Sequence, residues 1–356
     1  MKQSAIVLLL LFFFISTALA QFDFSQNQPD GSTYIGGPRL GESSTQTWRA
    51  GIIIEPGVAL ENFQVSIPVP AEWYEQRIIS ISEEKMDAQL ANHIEYRPHN
   101  AGAMEMFLQF GRVRPTQPIE IVVAFELQHF ELLPPDNPGQ YAIPRQVPQD
   151  IRQFLQPSPS IESNDPIFRR MFNDITKERQ TDWDKVESLY SFVQNNVQYD
   201  DQAWRYDVKG ALALVRQPQG QWTADCKDMT CLFVALCRAG GIPARIVRVP
   251  GHCYAEFYLE LRLDNRAAAG RGSRGRNNMP MGFWFPCQVA GTYSFGGLAK
   301  DSKPDRRIIL QKGDSFPNPD NPSRARTIWL REAFMGALSP GSPPPQFHWV
   351  REAVAR

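Results

Sequence analysis

The residues able to do chemistry gather in the second half of the chain. Cys226 opens the run Cys226-Lys-Asp-Met-Thr-Cys-Leu-Phe-Val-Ala-Leu-Cys-Arg-Ala239, in which Met229, Leu232, Phe233 and Leu236 are spaced as the buried stripe of a helix. Gly240-Gly241 end that helix and Pro243 bars its continuation. A thiol at a helix start meets unpaired N–H groups and the positive end of the dipole, both of which favour thiolate. The same N–H groups can hold the oxyanion formed when the thiolate attacks a carbonyl. A histidine on a nearby strand completes such a site by pairing with the thiolate and later passing on a proton. His252 meets that description, with Gly251 before it to permit close approach and the strand-like run Cys253-Tyr-Ala-Glu-Phe-Tyr-Leu-Glu-Leu after it. A third group must then hold the imidazole in the useful tautomer.

The elements that must position these residues can be read outward from them. Ala244-Arg-Ile-Val-Arg-Val and the His252 run are two strands separated by Pro250-Gly251, and Gly282-Phe-Trp-Phe-Pro-Cys-Gln-Val is a third. Upstream, Asp165-Pro166 starts a helix with Phe168, Met171, Phe172 and Ile175 on one face, and Thr181-Asp-Trp-Asp starts another with Val186, Leu189, Tyr190 and Val193. Both stripes read as core. Before Pro159 the signals are for short alternating strands between Trp48 and Phe130, which predict a small all-β sandwich. His93, His99 and His129 sit alone there and read as structural or surface residues rather than ligands. The segment from Leu132 to Pro159 is Pro-rich and reads as a connection. Between Arg262 and Asn278 an insertion with Arg262, Arg266, Arg271, Arg274 and Arg276 reads as a solvated surface loop. Beyond Pro317 the chain reads as a Pro- and Arg-rich tail with one helix, Ser323–Leu338.

Three segments together resemble the transglutaminase-like proteins of bacteria. Trp222-Thr-Ala-Asp-Cys-Lys-Asp-Met-Thr-Cys resembles their central signature, Gly251-His252-Cys-Tyr-Ala-Glu-Phe-Tyr their histidine strand, and Trp284-Phe-Pro-Cys-Gln the strand of their third residue. The resemblance implies an α+β, papain-like cysteine-enzyme fold, in which a helix bundle bearing the nucleophile packs on an antiparallel sheet bearing the base. It also implies acyl transfer from glutamine carboxamides to amines, or amide hydrolysis, or a site that has lost activity. By position Cys226 is the nucleophile and His252 the base. Asp228 matches a recurrent acidic position and reads as a first-turn helix stabiliser. Gln288 stands where the family usually has aspartate. Its oxygen can accept the imidazole N–H, but it brings no negative charge to the imidazolium. The alternative function is therefore a catalytically degenerate binding or structural module. Trp222 and Trp204 are candidate oxyanion donors, because an indole N–H only donates; core packing is the competing role. If His252 faced Gln288 across an antiparallel pair, Cys253 would face Cys287 on the side away from the site. The two would then form either a disulfide or a pair of buried thiols.

Composition sets the boundaries. The 356 residues divide into a signal peptide (1–20), a polar leader (21–45), a β-sandwich domain (46–140), a transglutaminase-like domain (141–311) and a tail (312–356). Lys2, the apolar run Ala5 to Ile15 and the small-x-small site Ala18-Leu19-Ala20 carry the signal-peptide reading. The expected location is periplasmic or extracellular, with no stable membrane span after cleavage. A net charge of −1 gives no reason to expect nucleic acid, and the expected partner is a protein or peptide bearing glutamine or another amide. The five cysteines show no C-x-x-C spacing, so neither a metal nor another cofactor is expected.

Overall fold

The computed structural model describes residues 37–86, 91–99, 102–203, 207–218, 220–262, 282–298, 308–319, 326–338 and 343–354. The expected signal peptide, residues 21–36 of the leader, Trp204 and all of the Arg-rich insertion except Arg262 lie outside the described residues.

Six strands come first: β1 (Arg39–Ile54), β2 (Leu60–Val69), β3 (Gln76–Met86), β4 (Ala91–His99), β5 (Ala103–Phe110) and β6 (Ile119–Leu133). The helices α1 (Pro166–Thr176), α2 (Asp182–Asn196), α3 (Ala211–Val215) and α4 (Cys226–Ala239) follow, among the two-residue strands β7 (Tyr141–Ala142), β8 (Gln198–Tyr199) and β9 (Thr223–Ala224). Then come β10 (Ala244–Val249), β11 (His252–Leu261), β12 (Gly282–Cys287), β13 (Gln311–Lys312), β14 (Phe316–Pro317), β15 (Arg326–Thr327), β16 (Ala333–Leu338) and β17 (Phe347–Val354).

The strands build one sheet in the order β17-β1-β6-β3 and a longer one in the order β12-β11-β10-β13-β5-β2-β16. Alternate residues of β1 (Ala50, Ile52, Ile54) and β6 (Ile119, Ile121, Val123, Phe125) meet alternate residues of β2 (Phe63, Val65, Ile67) and β5 (Met106, Leu108, Phe110) in one apolar core. A second core joins α1, α2 and α4 to one face of β10, β11 and β12. The mixed helix-and-sheet fold expected around Cys226 is present. The strand-rich half is not cut off from it, because β13 pairs with both β10 and β5 and carries one sheet across both cores.

The helix starts lie where the sequence puts them. The Asp165 side chain caps α1 with Pro166 at its first position. Thr181 and Asp184 form a reciprocal capping box on α2.

Two expectations need correction. Residues 39–45 are not leader: β1 starts at Arg39 and pairs with Leu133 at the far end of β6. That pairing is made by backbone groups, which the polar side chains of Ser43, Ser44 and Thr45 do not advertise. The C-terminal segment is not a tail with a helix either. The described part of Ser323–Leu338 is extended, with β16 adding to β2 and β17 adding to β1. Phe334 sets its ring 3.9 Å from that of Phe63 and stacks on Phe347 at 4.5 Å. Cross-strand aromatic packing of this kind overrides the helix preference of the Ala and Leu residues around it.

Candidate active site

The lead-in to Cys226 is fixed by backbone bonds. The amide of Gln198 donates to the Trp222 carbonyl and that of Asp200 to the Ala224 carbonyl, so α2 and its exit hold the segment before the helix. Asp225 then caps α4, its Oδ1 accepting from the N–H groups of Lys227 and Asp228. Met229, Leu232, Phe233 and Leu236 are all buried, as their spacing predicts. At the far end Arg238 closes the helix from inside the protein. Its guanidinium donates to the Ala244 and Gln156 carbonyls and lies 2.6 Å from Asp314.

Cys226 is therefore the first residue of a helix anchored at both ends, and its thiol is almost wholly buried. Burial alone would push such a thiol up. Hydrogen bonds with Cys253 and with His252, aided by the imidazole's charge, instead bring Cys226 down to about 5, while the Asp225 carboxylate opposes them. His252 begins β11 and is half-buried. The turn before it spans Pro250-Gly251, with Val249 opposite His252. Gly251 has φ +68°, and a Cβ there would meet nothing within 4 Å. Its role is thus the left-handed turn conformation rather than the close approach expected from sequence.

The third position is unmade. Nε2 of His252 is buried without a hydrogen-bond partner, so the carboxamide of Gln288 does not reach it. Gln288 lies just past β12. Its N–H donates to the Ser294 carbonyl, and its amide nitrogen is 2.8 Å from where a Cβ of Gly291 would stand. Ser294 in turn donates its N–H to the Tyr190 hydroxyl, so α2 holds the turn that carries Gln288.

The expected cross-strand pairing of Cys253 with Cys287 is overturned by register. Cys287 faces Ala255, two residues further along β11, and all five cysteines are free thiols. Nor does Cys253 point away from the site. With Ala255, Phe257 and Leu259 it faces α4, where it meets both Cys226 and Thr230. The apolar residues at every second position of that strand were the signal that would have placed it.

Trp222 is not free to help an oxyanion, since its indole N–H donates to the Gln217 carbonyl at 3.1 Å and its ring packs on the core. Asp228 is a buried support. Its Oδ1 accepts from the N–H groups of Lys209 and Gly210, tying the first turn of α4 to the chain entering α3, and burial pushes its carboxyl up. Among the described residues no three His, Cys, Asp or Glu side chains converge as a metal ion would need.

Comparison with known proteins bears on the family and the fold. A match to an uncharacterized protein of Haemophilus influenzae (strain ATCC 51907 / DSM 11121 / KW20 / Rd) is 23% identical over 233 residues, covering 56% of this chain. The chain spans about 60% of the length of that curated relative. In the fold, a candidate cysteine protease from Cytophaga hutchinsonii superposes with a TM-score of 0.52 at 15% identity, over 88% of this chain and 92% of that one. A candidate protease from Parabacteroides distasonis ATCC 8503 reaches a TM-score of only 0.24 at 13% identity, over 71% and 47% of the two chains, too low to carry an argument. The model of the transglutaminase-like superfamily matches residues 169–271, a span that holds Cys226 and His252 but stops short of Gln288. Residues 169–271, with the thiol and imidazole that meet at the start of α4, thus belong to the transglutaminase-like superfamily.

Proposed function

We propose that this protein is an exported cysteine enzyme that transfers or hydrolyses acyl groups through a thioester on Cys226. The observation that carries the reading is the Cys226 thiol, held at a capped helix start with His252 as its hydrogen-bond partner. In the first half-reaction the Cys226 thiolate attacks the carbonyl carbon of a glutamine carboxamide or peptide. The C–N bond breaks and protonated His252 supplies the proton for the leaving nitrogen. In the second half-reaction an amine or water attacks the thioester, His252 takes the proton of the attacking group, and the thiolate returns. Asp225 occupies the N–H groups of Lys227 and Asp228 but not that of Cys226, which is the helix-end donor an oxyanion on the attacked carbon would meet. Gln288 fits the orienting role once its carboxamide turns onto Nε2 of His252.

The substrate is a protein or peptide bearing amides. Export rests on the N-terminal sequence, and no helix among the described residues is long and apolar enough to cross a membrane. We read the two-layered strands as a β-sandwich that accompanies the enzyme domain.

A second reading, a degenerate binding module, is favoured by one observation, the unpartnered Nε2 of His252. The two are separated by incubating the protein with a glutamine-rich protein such as casein, with and without a primary amine, and mapping the products by mass spectrometry. The enzyme reading expects glutamine side chains or peptide bonds to be altered, and Cys226→Ala to abolish the change. Unaltered casein together with ordinary reactivity of Cys226 would leave the binding module.

A further inference from the structure

A second thiol lies directly beneath the nucleophile. Cys253, the residue after His252, faces α4 from β11, with its Sγ 3.8 Å from Thr230 Oγ1 and in hydrogen-bond contact with the sulfur of Cys226. Cys226 is 7% exposed, Cys253 2% and Thr230 0%, so little water reaches the three. A thiol has one proton to give. The S–H of Cys253 can point at the Thr230 oxygen or at the Cys226 sulfur, but not at both. When Cys226 is ionised its thiolate is the stronger acceptor, since charge-assisted hydrogen bonds are about twice as strong as neutral ones. The Thr230 hydroxyl then has Cys253 Sγ beside it as an acceptor. When Cys226 carries an acyl group no anion remains, and the S–H is free to turn back to Thr230.

We propose that Cys253 is a positioning residue for the nucleophile, its S–H bracing Cys226 as thiolate in the resting site and swinging to Thr230 when the sulfur is acylated. The proposal rests on Cys226 being the nucleophile. The charges around the pair come from three elements. His252 on β11 favours the Cys226 thiolate, and Asp225 at the start of α4 opposes it. Cys231 on α4 bears on Cys253, and Arg248 on β10 stands opposite Cys253 in register.

The test is the pH dependence of iodoacetamide alkylation at Cys226, located by peptide mapping, in the full chain and in Cys253→Ala and Cys253→Ser. The wild type is expected to reach half its maximal rate near pH 5. Cys253→Ala should move that midpoint up by roughly two pH units, while Cys253→Ser, which keeps a donor, should stay within roughly half a unit of wild type. A Cys253→Ala protein with unchanged far-UV dichroism and melting that titrates where the wild type does would overturn the proposal. A wild-type midpoint in the ordinary thiol range, about 8.5, would remove the nucleophile reading as well, so the two failures are told apart.

Discussion

Burial drives a thiol towards its neutral form, and three cysteines of this protein obey. Cys231, Cys237 and Cys287 are fully buried and pushed up by desolvation. Cys226 shares their core yet moves the other way, because hydrogen bonds with Cys253 and His252 outweigh its desolvation. Alkylation tracks the thiolate fraction, so its rate should hold above about pH 5 and fall as pH drops through that value. His252→Ala removes both a hydrogen bond and a positive charge. Its Cys226 should titrate at higher pH and react more slowly at pH 6, as read by iodoacetamide kinetics; an unchanged profile would show that the imidazole does not set the thiol. Cys226 and His252 were both legible in the sequence, since a helix start and a post-turn histidine are local features. The partner beneath the thiol was legible only through the alternation of β11, where Cys253 shares its face with Ala255, Phe257 and Leu259. Placing Cys253 required knowing which face of β11 meets α4, and placing Gln288 required the geometry of a turn that Tyr190 holds from another element.

At the scale of the element, α4 depends on its cap. Asp225 both satisfies two N–H groups and sets a negative charge beside the thiolate. These roles separate by substitution. Asp225→Ala should cost about 1–2 kcal/mol in urea unfolding through the lost cap. Asp225→Asn keeps an acceptor and loses the charge, so it should leave stability closer to wild type while moving the Cys226 midpoint below about 5. A midpoint that rises in Asp225→Asn would contradict the assigned sign.

The helices and most strands could be read from caps and alternation, but the register of β11 on β12 could not. A slip of two residues, from Cys253 opposite Cys287 to Ala255 opposite Cys287, leaves every side chain on the same face, so hydrophobic alternation is blind to it. The C-terminal strands were hidden for a related reason. Ala333–Leu338 has the composition of a helix and becomes a strand only through the edge that β2 offers.

Across the whole molecule, two buried ionic clusters lock the strand-rich half to the site. Lys312 lies 2.6 Å from both Glu75 and Glu256, and Glu256 also pairs with Arg245 at 2.7 Å. This joins the chain leading into β3 to the strand that begins with His252. Lys312→Met would take the buried cation away from Glu75 and leave Glu256 with Arg245 alone, and it should lower stability by roughly 3–5 kcal/mol, measured by denaturant unfolding. A loss confined to about 1 kcal/mol would mean that water reaches the cluster. Arg238 with Asp314 does the same at the opposite end of α4, so the nucleophile's helix is held by segments distant in sequence. The most direct test of the account is to mix the full-length protein with a glutamine-bearing peptide, quench in acid and weigh the intact protein. An acyl adduct is expected on Cys226 that forms at pH 6, is discharged by an added amine or by water, and is absent in Cys226→Ala. An altered substrate with no adduct on Cys226, or an adduct that persists in Cys226→Ala, would contradict it.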